Sequence, residues 1–140
     1  MISFKKYYEQ VTLGIVEPIF IEDVGEMDAK VDSGNDGYNV LGASNIVKEG
    51  DKVRFLSNNK TLFKKIVGEV DVRVGAGVTE PRYMVNLNIK FKDRFYENIP
   101  FSLAKRDNND YQVLIGTVFL KKIDALIQTN GPERLSEAED

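Results

Sequence analysis

Asp32, Ser33 and Gly34 stand together where the strand-like run Met27-Asp28-Ala29-Lys30-Val31 gives way to Asn35-Asp36-Gly37. Asp and Ser cap turns and Gly permits positive φ, so the tripeptide can be a plain turn. The same carboxylate, held at the end of a strand, can also move protons to and from water. Composition narrows the chemistry further. The chain has no Cys and no His. Thiol nucleophiles and disulfides are excluded, as are Ser-His-Asp and Cys-His arrangements. Zinc loses the ligands it prefers. Acid–base work falls to carboxylates, Lys or Tyr, and carboxylates alone leave magnesium-assisted phosphate chemistry formally open.

The elements that must position Asp32 read as mostly β. Ile66, Gly68, Val70, Val72 and Val74 share one face of a strand, with Glu69, Asp71 and Arg73 on the other. Val85, Leu87, Ile89 and Phe91 alternate with Met84, Asn86, Asn88 and Lys90. Phe95, Ile99, Phe101 and Leu103 repeat the pattern, with Glu97 as the exception. This period of two marks half-buried strands. Lys92-Asp93 reads as a tight hairpin turn between the last two. Pro100 removes a ladder donor, which places its strand at a sheet edge or puts a bulge there. Leu13 to Phe20, Met27 to Val31 and Asp51 to Phe55 are further strand candidates. Val113-Leu114-Ile115-Gly116 is an apolar strand ending in Gly, and on its own it reads as plain core. Thr117 to Ile123 has helical spacing, with Phe4 to Val11 a weaker second case. Many short strands and one helix near the C-terminus predict an all-β, small closed barrel.

The chain has 140 residues, 42% hydrophobic and 29% charged. That fits one domain with a real core. The reading divides it into an N-terminal segment (1–11), the barrel domain (12–130) and a flexible acidic tail (131–140). Net charge is −3, and the tail, with four acids and one Arg, carries all of it. The balanced remainder argues against a nucleic-acid partner. No apolar run approaches the roughly 20 residues of a membrane span. Met1 to Lys6 lacks the charged-then-apolar order of a signal peptide. A cytoplasmic protein is expected, or one packaged from the cytoplasm into a virion.

More of the chain then falls into a known order. Ala29-Lys30-Val31-Asp32-Ser33-Gly34 is followed by Lys52-Val53-Arg54-Phe55, then by Glu80-Pro81-Arg82-Tyr83-Met84-Val85-Asn86-Leu87-Asn88-Ile89. Phe101-Ser102-Leu103-Ala104-Lys105-Arg106-Asp107-Asn108-Asn109 comes next, and Val113-Leu114-Ile115-Gly116-Thr117-Val118-Phe119-Leu120 closes the series. Over about residues 12 to 128 this resembles the retropepsin-like aspartic peptidases, and among them the family named for ATP-dependent zinc proteases (RimB-like). The resemblance implies a barrel of retropepsin type, in which the Asp32 strand pairs with the late Val113–Gly116 strand. Neither zinc nor ATP is expected, since the chain lacks His, Cys and a G-x-x-x-x-G-K-S/T phosphate loop. Neither a metal nor any other cofactor is expected.

The resemblance also implies roles. Asp32, Ser33 and Gly34 would be the catalytic loop. Only one such tripeptide occurs, so a homodimer with two Asp32 side chains on its axis is implied. Ser33 would bond across the axis, and Gly34 would let the backbones approach closely. Asp36, Gly75, Gly77 and Gly116 would contact a peptide or protein substrate, with Gly75-Ala76-Gly77 where a flap tip would lie. Asn35-Asp36-Gly37 and Gly75-Ala76-Gly77 can each equally be simple turns. Arg106 to Asp110 reads as a polar connection, with a metal or substrate role as the sharper reading. Asn35, Asp36-Gly37-Tyr38 and Thr117 depart from the family pattern, as does a missing His near Leu41-Gly42-Ala43. These departures favour a second reading, a non-catalytic structural or assembly protein on the same fold, such as a component of a viral (phage) particle. A third reading, a peptidase for acidic tails or isopeptides, would need a basic patch, and none stands out in the sequence.

Overall fold

The computed structural model describes residues 11–34 and 37–127. Twelve strands and one helix follow in chain order: β1 (Val11–Leu13), β2 (Val16–Ile21), β3 (Gly25–Val31), β4 (Asn39–Gly42), β5 (Ser44–Glu49), β6 (Lys52–Ser57), β7 (Lys60–Lys65), β8 (Gly68–Gly75), β9 (Val78–Phe91), β10 (Arg94–Ala104), β11 (Val113–Ile115), α1 (Thr117–Lys122) and β12 (Ala125–Ile127). Six of the strands close a barrel in the order β10-β4-β11-β3-β2-β9, and β9 pairs back onto β10. β8 extends the sheet beyond β9. β5, β6 and β7 form a separate antiparallel sheet, and β1 pairs with β12 in parallel. The expected all-β closed barrel with a short helix near its C-terminal end is what the chain forms. Among the described residues, no helix is long and apolar enough to cross a membrane.

Alternation built these strands as expected. Val85, Leu87, Ile89 and Phe91 are all buried, with Phe101 opposite Val85 and Ile99 opposite Leu87, while the buried Leu103 pairs with Leu41 of β4. Lys92 and Asp93 both have positive φ (52° and 63°), the requirement of a tight two-residue hairpin. α1 docks by Phe119, whose ring meets Tyr96 edge-on at 5.2 Å and Phe91 at 5.9 Å. Such pairs contribute roughly 0.5–1.5 kcal/mol beyond their buried area.

Three strand expectations need correction, and a fourth is decided between its two alternatives. Leu13 to Phe20 is not one strand: the chain breaks after Leu13, so that β1 can reach β12 while β2 joins β3. Phe95 points outward and is 78% exposed, and Tyr96 takes the inner side. The cause is a bulge between Tyr96 and Ile99, where Asn98 has φ 53° and reverses the phase of the alternation. Of the two placements expected for Pro100, the edge does not hold, because β10 pairs with both β9 and β4, and the bulge does. Pro100 is accommodated just after that bulge, one residue before pairing with β4 begins at Phe101. Met84 is buried although its neighbours predict an outward side chain, and Gly68 lies opposite it in β8. The helix expected over Phe4 to Val11 lies outside the described residues except for Val11, which is in β1. The 131–140 tail also lies outside them.

One buried charge holds the β1–β2 break. Glu17 is fully buried, and its Oε2 accepts a hydrogen bond from the Gly14 N–H at 3.0 Å. Lys92 Nζ approaches the same oxygen at 3.5 Å. The carboxylate thus ties the break to the β9–β10 turn. Removing one partner of a buried pair strands the other charge, a loss of about 3–5 kcal/mol. Glu17→Ala should therefore lower the unfolding free energy by about that amount in urea denaturation. The Glu17→Leu/Lys92→Met double variant should lose clearly less than the sum of its single changes.

Candidate functional site

β11 is the element that builds the site. It lies between β3 and β4, parallel to the first and antiparallel to the second. Val113, Leu114 and Ile115 pair with Ala29, Lys30 and Val31. The Asp32 N–H continues that ladder by donating to the Ile115 carbonyl at 2.9 Å. Asp32 is thus fixed at the mouth of the barrel by backbone alone. It is half-buried, while Ser33 and Gly34 are exposed. Its Oδ1 accepts from the Gly34 N–H at 3.2 Å, the local turn that an Asp side chain makes with the backbone two residues on. A Cβ added at Gly34 would meet only that oxygen, at an ordinary 3.5 Å. Among the described residues, nothing in that space demands glycine there.

Gly116 ends β11 and caps α1. Its N–H donates to Asn39 Oδ1 at 2.9 Å, and its carbonyl accepts from Leu120 at 3.1 Å. The Val118 N–H donates to Gly37 at 3.3 Å, which joins the helix to the segment after Asp32. Asn39 is 1% exposed, and among the described residues its Nδ2 has no hydrogen-bond partner. Asn39 was not legible as a site residue, because a single polar residue before the run Val40-Leu41 looks like a strand boundary.

The Arg106 to Asp110 connection is more ordered than a solvated loop. Arg106 Nε donates to the Tyr111 carbonyl at 2.8 Å, and Gln112 Nε2 donates to the carbonyls of Arg106 and Asn109 at 2.7 and 3.2 Å. The Gln112 carbonyl accepts from Gly42 at 2.6 Å, and any side chain at position 42 would collide with Gln112. Burial holds the Arg106 guanidinium below its ordinary value. Arg82 of β9 pushes the same way, and Asp32 opposes them. Arg106 thus lies within electrostatic reach of both Arg82 and Asp32, and Arg82 is bonded to Glu80 at 3.0 Å.

Gly75 and Gly77 occupy the exposed tip of the β8–β9 hairpin, with φ of 122° and 77° around Ala76 at 48°. Both have open space where a Cβ would stand. The structure therefore brings Asp32, Ser33, Gly34 and Gly116 to one end of the β3–β11 pair. The Gly75–Gly77 tip is carried on a separate hairpin whose lower part supplies Arg82. Asp36 lies outside the described residues.

No family model and no curated protein matches the chain. Its structure is similar to the crystal structure of Lpg0085 from Legionella pneumophila subsp. pneumophila str. Philadelphia 1, a protein with unknown function (DUF785). The two share 25% sequence identity with a TM-score of 0.67, over 85% of this chain and 93% of that one. The likeness is one of architecture along nearly the whole of both chains.

Asn39 offers a direct test of how the site is held. Asn39→Ala leaves the buried Gly116 N–H without its acceptor, a loss of about 1–3 kcal/mol. Chemical denaturation should show that loss. Amide exchange should show faster opening at Gly116 and in α1 than in the β5–β6–β7 sheet.

Proposed function

We propose that this chain is one half of a homodimeric aspartic peptidase of the retropepsin-like class. The observation that carries the reading is the placement of Asp32. Its carboxylate is half-buried at the end of β3, pinned through the backbone by β11, and followed by the exposed Ser33 and Gly34. The order of the motifs along the chain and the threading of β11 beside the Asp strand support it as well.

In the proposed dimer, two Asp32 carboxylates face each other across the axis. Like charges that close do not both ionise, so the pair holds one proton between them. The ionised member takes a proton from a bound water, whose oxygen attacks the peptide carbonyl carbon. The protonated member gives its proton to the carbonyl oxygen. Return of a proton to the peptide nitrogen then breaks the C–N bond. The dyad titrates jointly, so activity should follow a bell in pH. Close packing of the second Asp-Ser-Gly loop would also account for glycine at 34, which no contact among the described residues requires. Gly75 to Gly77 would lie over bound peptide as the hairpin tip.

Sedimentation of the full chain should show a dimer, and the wild type should cleave members of a peptide library. Asp32→Asn should abolish that cleavage while leaving the dimer intact. Mixing wild type with an equal amount of Asp32→Asn should leave about a quarter of the dimers with two aspartates, and activity should fall in step. A monomer at high concentration, or cleavage unchanged by Asp32→Asn, sinks the peptidase reading and leaves the barrel as an assembly module.

A further inference from the structure

The neutral balance of residues 1–130 conceals a local segregation. Residues 44–65 hold six basic and two acidic side chains, and they form the β5–β6–β7 sheet. Its inner face is apolar, with Val53, Phe55 and Leu62 buried. Register places Arg54 between Val47 and Phe63, and Lys52 between Glu49 and Lys65, on the opposite face. Phe63 is 49% exposed there, and Val47 is 53% exposed. Lys52 Nζ stands 5.1 Å and Arg54 Cζ 5.7 Å from the centre of the Phe63 ring. The one acid of that cross-strand row, Glu49, is bonded to Arg54 at 2.8 Å.

We infer that this outer face binds single-stranded nucleic acid, with Phe63 as a stacking platform and Lys52, Arg54 and Lys65 as phosphate contacts. An exposed aromatic ring with two cations beside it on an antiparallel sheet supplies both halves of such a site. The ring decides between anionic partners. An acidic peptide could use the cations but gains nothing from Phe63, whose π face repels carboxylates. A chain of bases uses both, since a base can stack on the exposed part of Phe63 while its flanking phosphates reach the cations beside the ring. The inference does not depend on the role proposed for Asp32.

Fluorescence anisotropy of a short fluorescein-labelled oligothymidylate with the full-length protein tests it. The wild type should bind at low salt, and log K should fall against log salt with a slope of about −2 for three phosphate contacts. Phe63→Ala should weaken binding about tenfold to a hundredfold, while Phe63→Trp should preserve it. Lys52→Glu/Lys65→Glu should weaken binding at least as much as Phe63→Ala. Asp32→Asn should bind like the wild type. Lys52, Phe63 and Lys65 are exposed, and thermal melts would confirm that each variant folds. Absence of binding by the wild type overturns the inference. So does insensitivity to both sets of substitutions, or an oligo-aspartate that binds as tightly as the oligonucleotide.

Discussion

Three residues complete the barrel. Val113 to Ile115 form hydrogen-bonded ladders on both sides at once, and without them β3 and β4 would each present an open edge inside the sheet. The insertion is costly in chain entropy because β11 lies far along the chain from both neighbours. Burial helps to offset that cost, as Val113 and Ile115 are fully excluded from solvent. Everything at the candidate site hangs from this contact. Asp32 takes its position from the Ile115 carbonyl, and Gly116 starts the helix that returns to Gly37.

The polar groups around β11 follow from the same insertion. A strand that ends inside a barrel leaves backbone donors that water cannot reach, and each needs a partner. Asn39 supplies one to Gly116. Gln112, just ahead of the strand, answers Gly42 and braces the turn that carries Arg106. The electrostatic neighbourhood of Asp32 is therefore a product of how the strand is entered and left.

Much of the architecture was legible because burial imposes a period of two. Val85 to Phe91 could be assigned to the core from spacing alone, and the Lys92-Asp93 turn followed from its position between two such runs. The reading lost phase at Asn98, where a left-handed residue inserts a bulge that no hydrophobic pattern encodes. The short strands β4, β7 and β12 escaped because three to six residues are too few for a period to emerge against background composition. Asp32, Ser33 and Gly116 could be named from motif order. Asn39, Arg82 and Gln112 were not assigned roles, since their parts depend on contacts between segments distant in sequence. The charged face of the small sheet was hidden by arithmetic over the whole chain. It emerges only when register separates Lys52, Arg54 and Phe63 from the buried Val53 and Phe55.

The parallel pairing of β1 with β12 sets the order in which this molecule can be completed during synthesis. Val11 meets Ala125, so the first described strand waits for nearly the whole chain before it finds its partner. β3 waits almost as long for β11. A ribosome would release the β5–β6–β7 sheet and the β9–β10 hairpin, each built from neighbours in sequence, well before the barrel could close. Such long-range pairings slow folding. The nascent protein thus passes through a stage in which its local sheets are made while the strand bearing Asp32 still has a free edge.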